Sequence, residues 1–249
     1  MARALAEACK LGAWRPAHRV SDHQRHVRTL LDVRQQLVKT RTRLLSLASA
    51  MLRREGYRVR SGHAEYFPER ALELPLSGQL RSELAPLFST MVQVNKQIDS
   101  VEARIELATL PDADVQRVRS LHGVGALTAA AFVAALDGAQ RFRRAHQVES
   151  YFGLVPRESS SGEKQHRGGI TKTGDSRMRG LLVQAAWCIV RSKQPGVEHL
   201  KRWTAQIAAR RGKNIAIIAL ARRLAGILFA LVRDGTTYRP PAPLQAQAA

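Results

Sequence analysis

Three consecutive serines, Ser159, Ser160 and Ser161, precede Gly162 and are flanked by Arg157, Lys164 and Arg167. A serine hydroxyl among cations has the parts of a phosphoryl-transfer nucleophile. Its oxygen attacks a phosphodiester while the guanidinium and ammonium groups stabilise the charge that grows on the phosphorane. Serine-rich segments are more often plain flexible loops, and residue types alone leave both readings open. A second constellation lies upstream, where His122-Gly123-Val124-Gly125 separates the apolar-periodic stretches 115–121 and 126–136. That pattern reads as helix, tight turn, helix. Gly123 and Gly125 open backbone conformations closed to other residues, and Val124 can plug between the two helices. Bare N–H groups at the start of the second helix face the end where its dipole favours an anion. A DNA phosphate fits such a turn without side-chain readout. The alternative is a small-residue turn that only packs, which Ala129, Ala130 and Ala131 would suit equally well.

Further cations cluster around these two features. Arg143 and Arg144 precede the serine block, and Arg177 and Arg179 follow it, where Asp175 or Ser176 can cap a helix. Between them, Gly168-Gly169-Ile170-Thr171-Lys172-Thr173-Gly174 can bring backbone amides and Lys172 against a phosphate. Its glycine spacing is not that of a nucleotide P-loop. Arg210-Arg211-Gly212-Lys213 marks a helix junction and is a second candidate phosphate contact; the alternative is a solvated turn. Trp187 and Trp203, in helical context, are expected in the core rather than as stacking platforms, and His18, His23 and His26 on the surface. Metal-dependent phosphoryl transfer needs several converging carboxylates, but residues 121–249 hold only seven acids, widely scattered, so no metal site is expected.

The whole-chain balance agrees with a polyanionic partner. The 249 residues carry 40 Lys+Arg against 20 Asp+Glu, a formal charge of +20. Only eight of the basic residues are Lys, and Arg offers the planar fork that matches phosphate oxygens. The excess is uneven, +7 over residues 1–120 and +13 over 121–249. Such a surplus favours nucleic acid over a membrane surface, because neutralised phosphates release counterions. Two cysteines give neither a zinc cluster nor a disulfide framework, as in a reducing compartment. The most apolar stretch, 215–232, is interrupted by Arg222 and Arg223 and reads as a buried or half-buried helix rather than a membrane span.

The elements that must position these residues are mainly helical. Residues 2–11 form a short helix closed by Gly12. Ser21-Asp22 caps a long helix in which Leu30, Leu37, Leu44 and Met51 repeat every seven residues, with Leu31, Val38, Leu45 and Leu52 one position later, until Gly56. Residues 57–78, with Pro68, Pro75 and Gly78, read as an irregular connector. A second long helix follows, its seam at Leu84, Leu87, Met91, Val94, Ile98, Val101, Ile105 and Ala108. The alternating spacing of three and four is that of a coiled coil; the alternative is a bundle-core helix. Beyond Pro111 come the helix-hairpin-helix, the Gly/Ser-rich loop 157–174 and helices near 175–193, 197–211 and 213–233. The expected fold is therefore mainly α: a long coiled-coil helical hairpin (21–110), then a compact helical domain (111–237) containing a helix-hairpin-helix (115–136), with a disordered tail (238–249).

The runs GVGALTAAAFVAALDGAQRF (123–142) and QVESYFGLVPRESSSGEKQHRGGITKTGDSRMRGLLVQAAW (147–187) resemble the C-terminal transposase domain of the insertion sequence one-ten (and eleven-eleven) family. The segments 2–18 and 209–238 resemble its flanking regions. The resemblance implies a DNA transposase that joins an N-terminal ribonuclease H-like domain, with four acidic metal ligands, to a coiled coil and a serine-bearing domain. By position in its SG motif Ser161 matches the nucleophile, ahead of Ser160 and Ser159. Gly123/Gly125 and 170–174 match further signatures. The implied partners are DNA (element ends and target), a guide RNA in members that use one, and a second copy through the coiled coil, with no membrane. The implied location is the bacterial cytoplasm, at the nucleoid. The acidic domain should precede residue 2, where Met1 stands, so the chain is expected to be a truncated or mis-started form that binds DNA without transposing it alone. It then carries no cofactor, Mg²⁺ belonging with the acidic domain. The competing readings are a non-catalytic helix-hairpin-helix DNA-binding protein and a coiled-coil interaction protein whose charge only keeps it soluble.

Overall fold

A computed structural model describes residues 2–13, 17–161 and 164–241, with the side chains of 159–167 outside that description. Helix α1 (Ala2–Lys10) buries none of its residues. The Ser21 hydroxyl accepts the Gln24 N–H at 3.3 Å and starts α2 (Asp22–Arg54), and Ser77 caps α4 (Gly78–Thr109) in the same way through Leu80. These two helices run antiparallel. Gln24 meets Asp112, Arg34 meets Glu102 at 2.6 Å and Arg41 meets Asn95 at 3.2 Å, so partner numbers fall in one as they rise in the other. The interhelical bonds sit at half-exposed positions and each contributes at most about 1 kcal/mol; buried side chains carry the pairing.

The α4 seam buries Leu84, Phe88, Met91, Val94, Ile98, Val101 and Ile105. Phe88 replaces the expected Leu87 because the connector is not irregular. It folds as a 3₁₀ turn (Ala64–Tyr66) and helix α3 (Phe67–Leu72), whose Phe67 packs edge-on against Phe88 with ring centroids 6.5 Å apart. Pro68 lies in the first turn of α3, where proline starts a helix rather than breaking one. Phe67, Ala71, Ala48, Leu52, Leu84, Phe88 and Met91 form a core of their own at this tip.

At the other end of the arm, Val27, Leu30, Leu31, Val101 and Ile105 join the large core of the C-terminal helices. There Asp112 caps α5 (Ala113–Arg119), and α6 (Ala126–Leu136) is buried at every position from Thr128 to Leu136. A helix apolar all round belongs at the centre of a protein. Arg28 of α2 donates to the Ala134 and Ala135 carbonyls at the C-terminus of α6, satisfying groups that the helix itself leaves open. Helix α6 packs against α2, α4, α5 and α8 (Ser176–Arg191), and α7 (Ala145–Tyr151) and α9 (Glu198–Arg211) pack on α10 (Lys213–Asp234). Helix α10 is long and apolar enough to cross a membrane, yet it packs against α5, α7, α8 and α9 as a core helix. Arg222 and Arg223 emerge from it toward Glu149 and the Trp203 ring.

The serine segment differs from the expected loop. It is an antiparallel hairpin of β1 (Pro156–Ser161) and β2 (Lys164–Ile170), with a bulge between Pro156 and Glu158. The segment is rich in Ser, Gly and charge and has no apolar alternation of period two, so no strand pattern marks it in the sequence. Tyr238 is also held rather than free: its N–H donates to Ser120 Oγ at 2.7 Å and its hydroxyl lies 3.0 Å from His199 Nε2. Of the expected disordered tail, 242–249 lie outside the described residues.

Candidate nucleic-acid interface

The helix-turn-helix of α5 and α6 is built around Gly123, whose φ is +93°. A Cβ there would stand 2.6 Å from Ile189 Cγ1 of α8, so the position needs glycine both for its backbone and for the close approach of α8. Gly125 does not. Its φ of −78° and ψ of 172° suit any residue, and an added Cβ would meet nothing within 4 Å. Val124 is buried, as a plug should be, and its N–H is spent inside the turn on the Leu121 carbonyl at 3.1 Å. Gly125 offers no side chain to cap α6, so the first N–H groups of that helix have no capping acceptor. Beside the turn, exposed His122 Nε2 lies 2.7 Å from Ser192 Oγ at the end of α8.

In the hairpin, Ser161 pairs with Lys164, Ser160 with Gln165, Ser159 with His166 and Glu158 with Arg167. The hydroxyls of Ser159, Ser160 and Ser161 and the cationic groups of Lys164 and Arg167 lie outside the described side chains. The base of the hairpin is firm. Thr171 N–H donates to Val155 O at 2.9 Å and Lys172 N–H to Gly153 O at 3.1 Å. A Cβ on Gly153 would stand 2.4 Å from Thr173 O, and one on Gly174 2.1 Å from Tyr151 O. The motif 168–174 therefore locks the hairpin onto the end of α7. The Thr171 and Lys172 amides are engaged there rather than open to a phosphate, while the Lys172 side chain stays exposed at a φ of +58°.

The hairpin base stands over the corner where α9 meets α10. Between them runs a groove of about 890 Å³, walled by Pro156, Gly168, Gly169 and Ile170 on one side and by Ile207, Arg210, Arg211, Asn214, Ile215 and Ile218 on the other. Arg210 and Arg211 are exposed and, among the described residues, form no ion pair. Arg222, which the sequence reading did not select, reaches the same groove but is neutralised by Glu149 at 2.5 Å. Its partner is 73 residues away, so no local pattern exposed it.

The remaining candidates divide. Arg143 and Arg144 are exposed before α7, where their N–H groups donate to Gln147 Oε1 at 2.7 and 3.2 Å. Arg157 is exposed on β1, with Nη2 3.4 Å from Thr171 O. Lys213 lies over the Trp187 ring at 5.1 Å, opposite Arg191 at the same distance. Trp187 and Trp203 are half-buried and serve as faces for cations, rather than lying wholly in the core. Arg177 and Arg179 are turned inward. Arg177 is ion-paired with Asp32 of α2 and lies 3.7 Å from Asp175, and Arg179 donates to the carbonyls of Phe152 and Thr173.

The three N-terminal histidines are exposed, as expected. His18 also contacts Asp137 at 2.6 Å, beside hydrogen bonds from the Ser21 hydroxyl and N–H. Partial burial opposes ionisation of Asp137, but the hydrogen bonds from Ser21 and His18 outweigh it and hold the carboxyl below its ordinary value. His199 is shifted down as well, first by burial and then by the nearby Arg223. Among the described residues no group of His, Cys, Asp and Glu is placed to hold a metal ion.

Comparison with known proteins bears on these features together. Residues 115–201, from α5 through the hairpin to the start of α9, match the family described as Transposase IS116/IS110/IS902. The chain is 32% identical over 243 residues to the transposase for insertion sequence element IS1111A of Coxiella burnetii, covering 96% of this chain and 67% of that protein. It is 31% identical over 247 residues to a probable family 20 transposase of Pseudomonas aeruginosa, covering 96% of this chain and 72% of the relative. The likeness runs through the α2–α4 arm as well as the helical domain, and the chain belongs to the IS116/IS110/IS902 transposase family.

Proposed function

We propose that this chain is the DNA-handling part of a transposase, in which Ser161 attacks a DNA strand held in the groove between the serine hairpin and the α9–α10 corner. The observation that carries the reading is the shared groove: the base of the serine-bearing hairpin and the unpaired Arg210 and Arg211 line one cleft. The strand's phosphates would lie on Arg210 and Arg211, with exposed Arg157 and Lys172 at the hairpin base and Arg143 and Arg144 farther out. In the reaction the serine oxygen forms a bond to phosphorus, the bridging P–O bond of the strand breaks, the departing oxygen takes a proton and the serine proton passes to a base. Arginines beside the phosphorus stabilise the charge on the equatorial oxygens. Ser160 and Ser159 are the lesser alternatives.

The resemblance to the family places Mg²⁺ on four acids of a ribonuclease H-like domain. Such acids would hold the Mg²⁺, which would supply Lewis-acid stabilisation of the same phosphoryl oxygens. Among the described residues no group of His, Cys, Asp and Glu is placed to hold a metal ion, so the part proposed for residues 1–249 is to hold the strand and present the serine. A second copy would pair along the outer side of α2, where Val33 and Leu47 are 44% and 50% exposed. In members that use a guide RNA, that RNA would share the basic surface.

The test is recombination of element-end DNA in Mg²⁺ with the acidic domain supplied. Ser161→Ala abolishes strand exchange, by at least about 1000-fold if the nucleophile is lost, while Ser159→Ala and Ser160→Ala retain it. Exchange that survives Ser161→Ala returns the chain to the other reading, a helix-hairpin-helix protein that binds DNA without attacking it.

A further inference from the structure

A second basic surface lies at the opposite end of the molecule, at the tip of the α2–α4 arm. Where α2 ends and the chain turns toward α3, a basin of about 490 Å³ is framed by Arg53, Arg58, Arg60 and Arg70 over a floor that includes Tyr57 and Phe67. No Asp or Glu lines it. Arg53, Arg58 and Arg60 are exposed and, among the described residues, make no ion pair or side-chain hydrogen bond. Arg34 and Arg177 on the same arm and its base are, by contrast, paired with carboxylates.

Arg70 is built into the floor. Its Nη2 donates to His63 O at 2.9 Å, and its guanidinium lies so close over Gly62 that a Cβ there would stand 2.6 Å from Nη1. Its Nε is buried with no partner. Four guanidinium groups with no internal counter-charge repel one another unless an anion sits among them.

Placement says which anion. From Leu31, where α2 enters the C-terminal core, to Arg54 the helix rises about 35 Å at 1.5 Å per residue, so the tip stands clear of that core by about the length of one turn of B-form duplex. A small anion would occupy the tip alone, whereas a polymer of phosphates reaches both the tip and the C-terminal basic surface and gains from engaging them together.

We propose that the tip basin is a second nucleic-acid site, taking the phosphodiester backbone of a duplex about one helical turn from the segment held by the C-terminal helices. Its chemistry is that of the backbone, shared by DNA and RNA, and it does not depend on Ser161.

The experiment is fluorescence anisotropy on the full 249-residue chain, with labelled duplexes of about 24 and 8 base pairs, in DNA and in RNA, over a range of salt. The shorter duplex spans less than one turn and cannot bridge both surfaces. Arg58→Gln with Arg60→Gln is expected to weaken binding of the long duplex about tenfold and to lower its salt slope by about two. Arg58→Lys with Arg60→Lys keeps most of both. Binding of the short duplex stays unchanged. A loss with DNA only, or with RNA only, supports the site and names the source of the backbone. Unchanged affinity and slope on both long duplexes overturns it, and so does an equal loss on the short ones. Both arginines are exposed, and an unchanged circular dichroism melt confirms the fold. Cleavage is not read, so failure of the serine mechanism leaves the result intact.

Discussion

Gly123 and Gly125 differ in what the fold asks of them. At Gly123 a side chain meets both a left-handed backbone and Ile189 at 2.6 Å; at Gly125 it meets neither. Gly123→Ala is therefore expected to lower stability by about 2 kcal/mol or more, and Gly125→Ala, which only puts a poorer N-cap residue on α6, by about 1 kcal/mol or less. Urea unfolding of the two variants checks this, and equal losses would contradict it. The sequence made Gly123 legible because glycine beside an apolar plug has a backbone meaning, but it assigned Gly125 the same meaning on residue type alone. Contacts such as His122 with Ser192, or Arg222 with Glu149, lie 70 and 73 residues apart and leave no local trace. Ser161, the proposed nucleophile, stands between these cases. Its position in the hairpin follows from the backbone register opposite Lys164, whereas its chemical role rests on resemblance.

Among the elements, long helices were easy to read because their burial has a period, and they carry their own caps at Ser21, Ser77, Asp112 and Asp175. Two pieces of the connecting chain were not. Helix α3 hides behind Pro68, which reads as a breaker and here begins a turn of helix. The serine hairpin hides behind a Ser-, Gly- and charge-rich composition that no strand pattern marks. Arg177 shows how element packing also redirects charge. It was a natural phosphate contact by position, yet its guanidinium ties α8 to Asp32 of α2. Arg177→Ala is expected to cost about 1–3 kcal/mol of stability, because it removes a partly buried charged hydrogen bond, while leaving the salt slope of DNA binding unchanged within error. A slope that falls by about one in this variant would make Arg177 a DNA contact instead.

For the molecule as a whole, part of the surplus of +20 gathers on two surfaces, with further exposed cations such as Arg43, Arg81 and Arg104 along the arm. One lies in the C-terminal helices, where the turn between α5 and α6, the base of the serine hairpin and the α9–α10 corner carry it. The other is the arginine basin at the arm's tip, which the count of charge by halves obscured because Glu65, Glu69, Glu73 and Glu83 in the same half dilute it. The antiparallel α2–α4 arm separates them. The central claim is that the groove under the serine hairpin holds DNA through Arg210 and Arg211. Its most direct test is the salt dependence of binding to short duplex DNA by Arg210→Gln with Arg211→Gln. Affinity is expected to fall about tenfold or more, with a slope of log K against log salt shallower by about two. A double variant that binds with the native affinity and slope would contradict it.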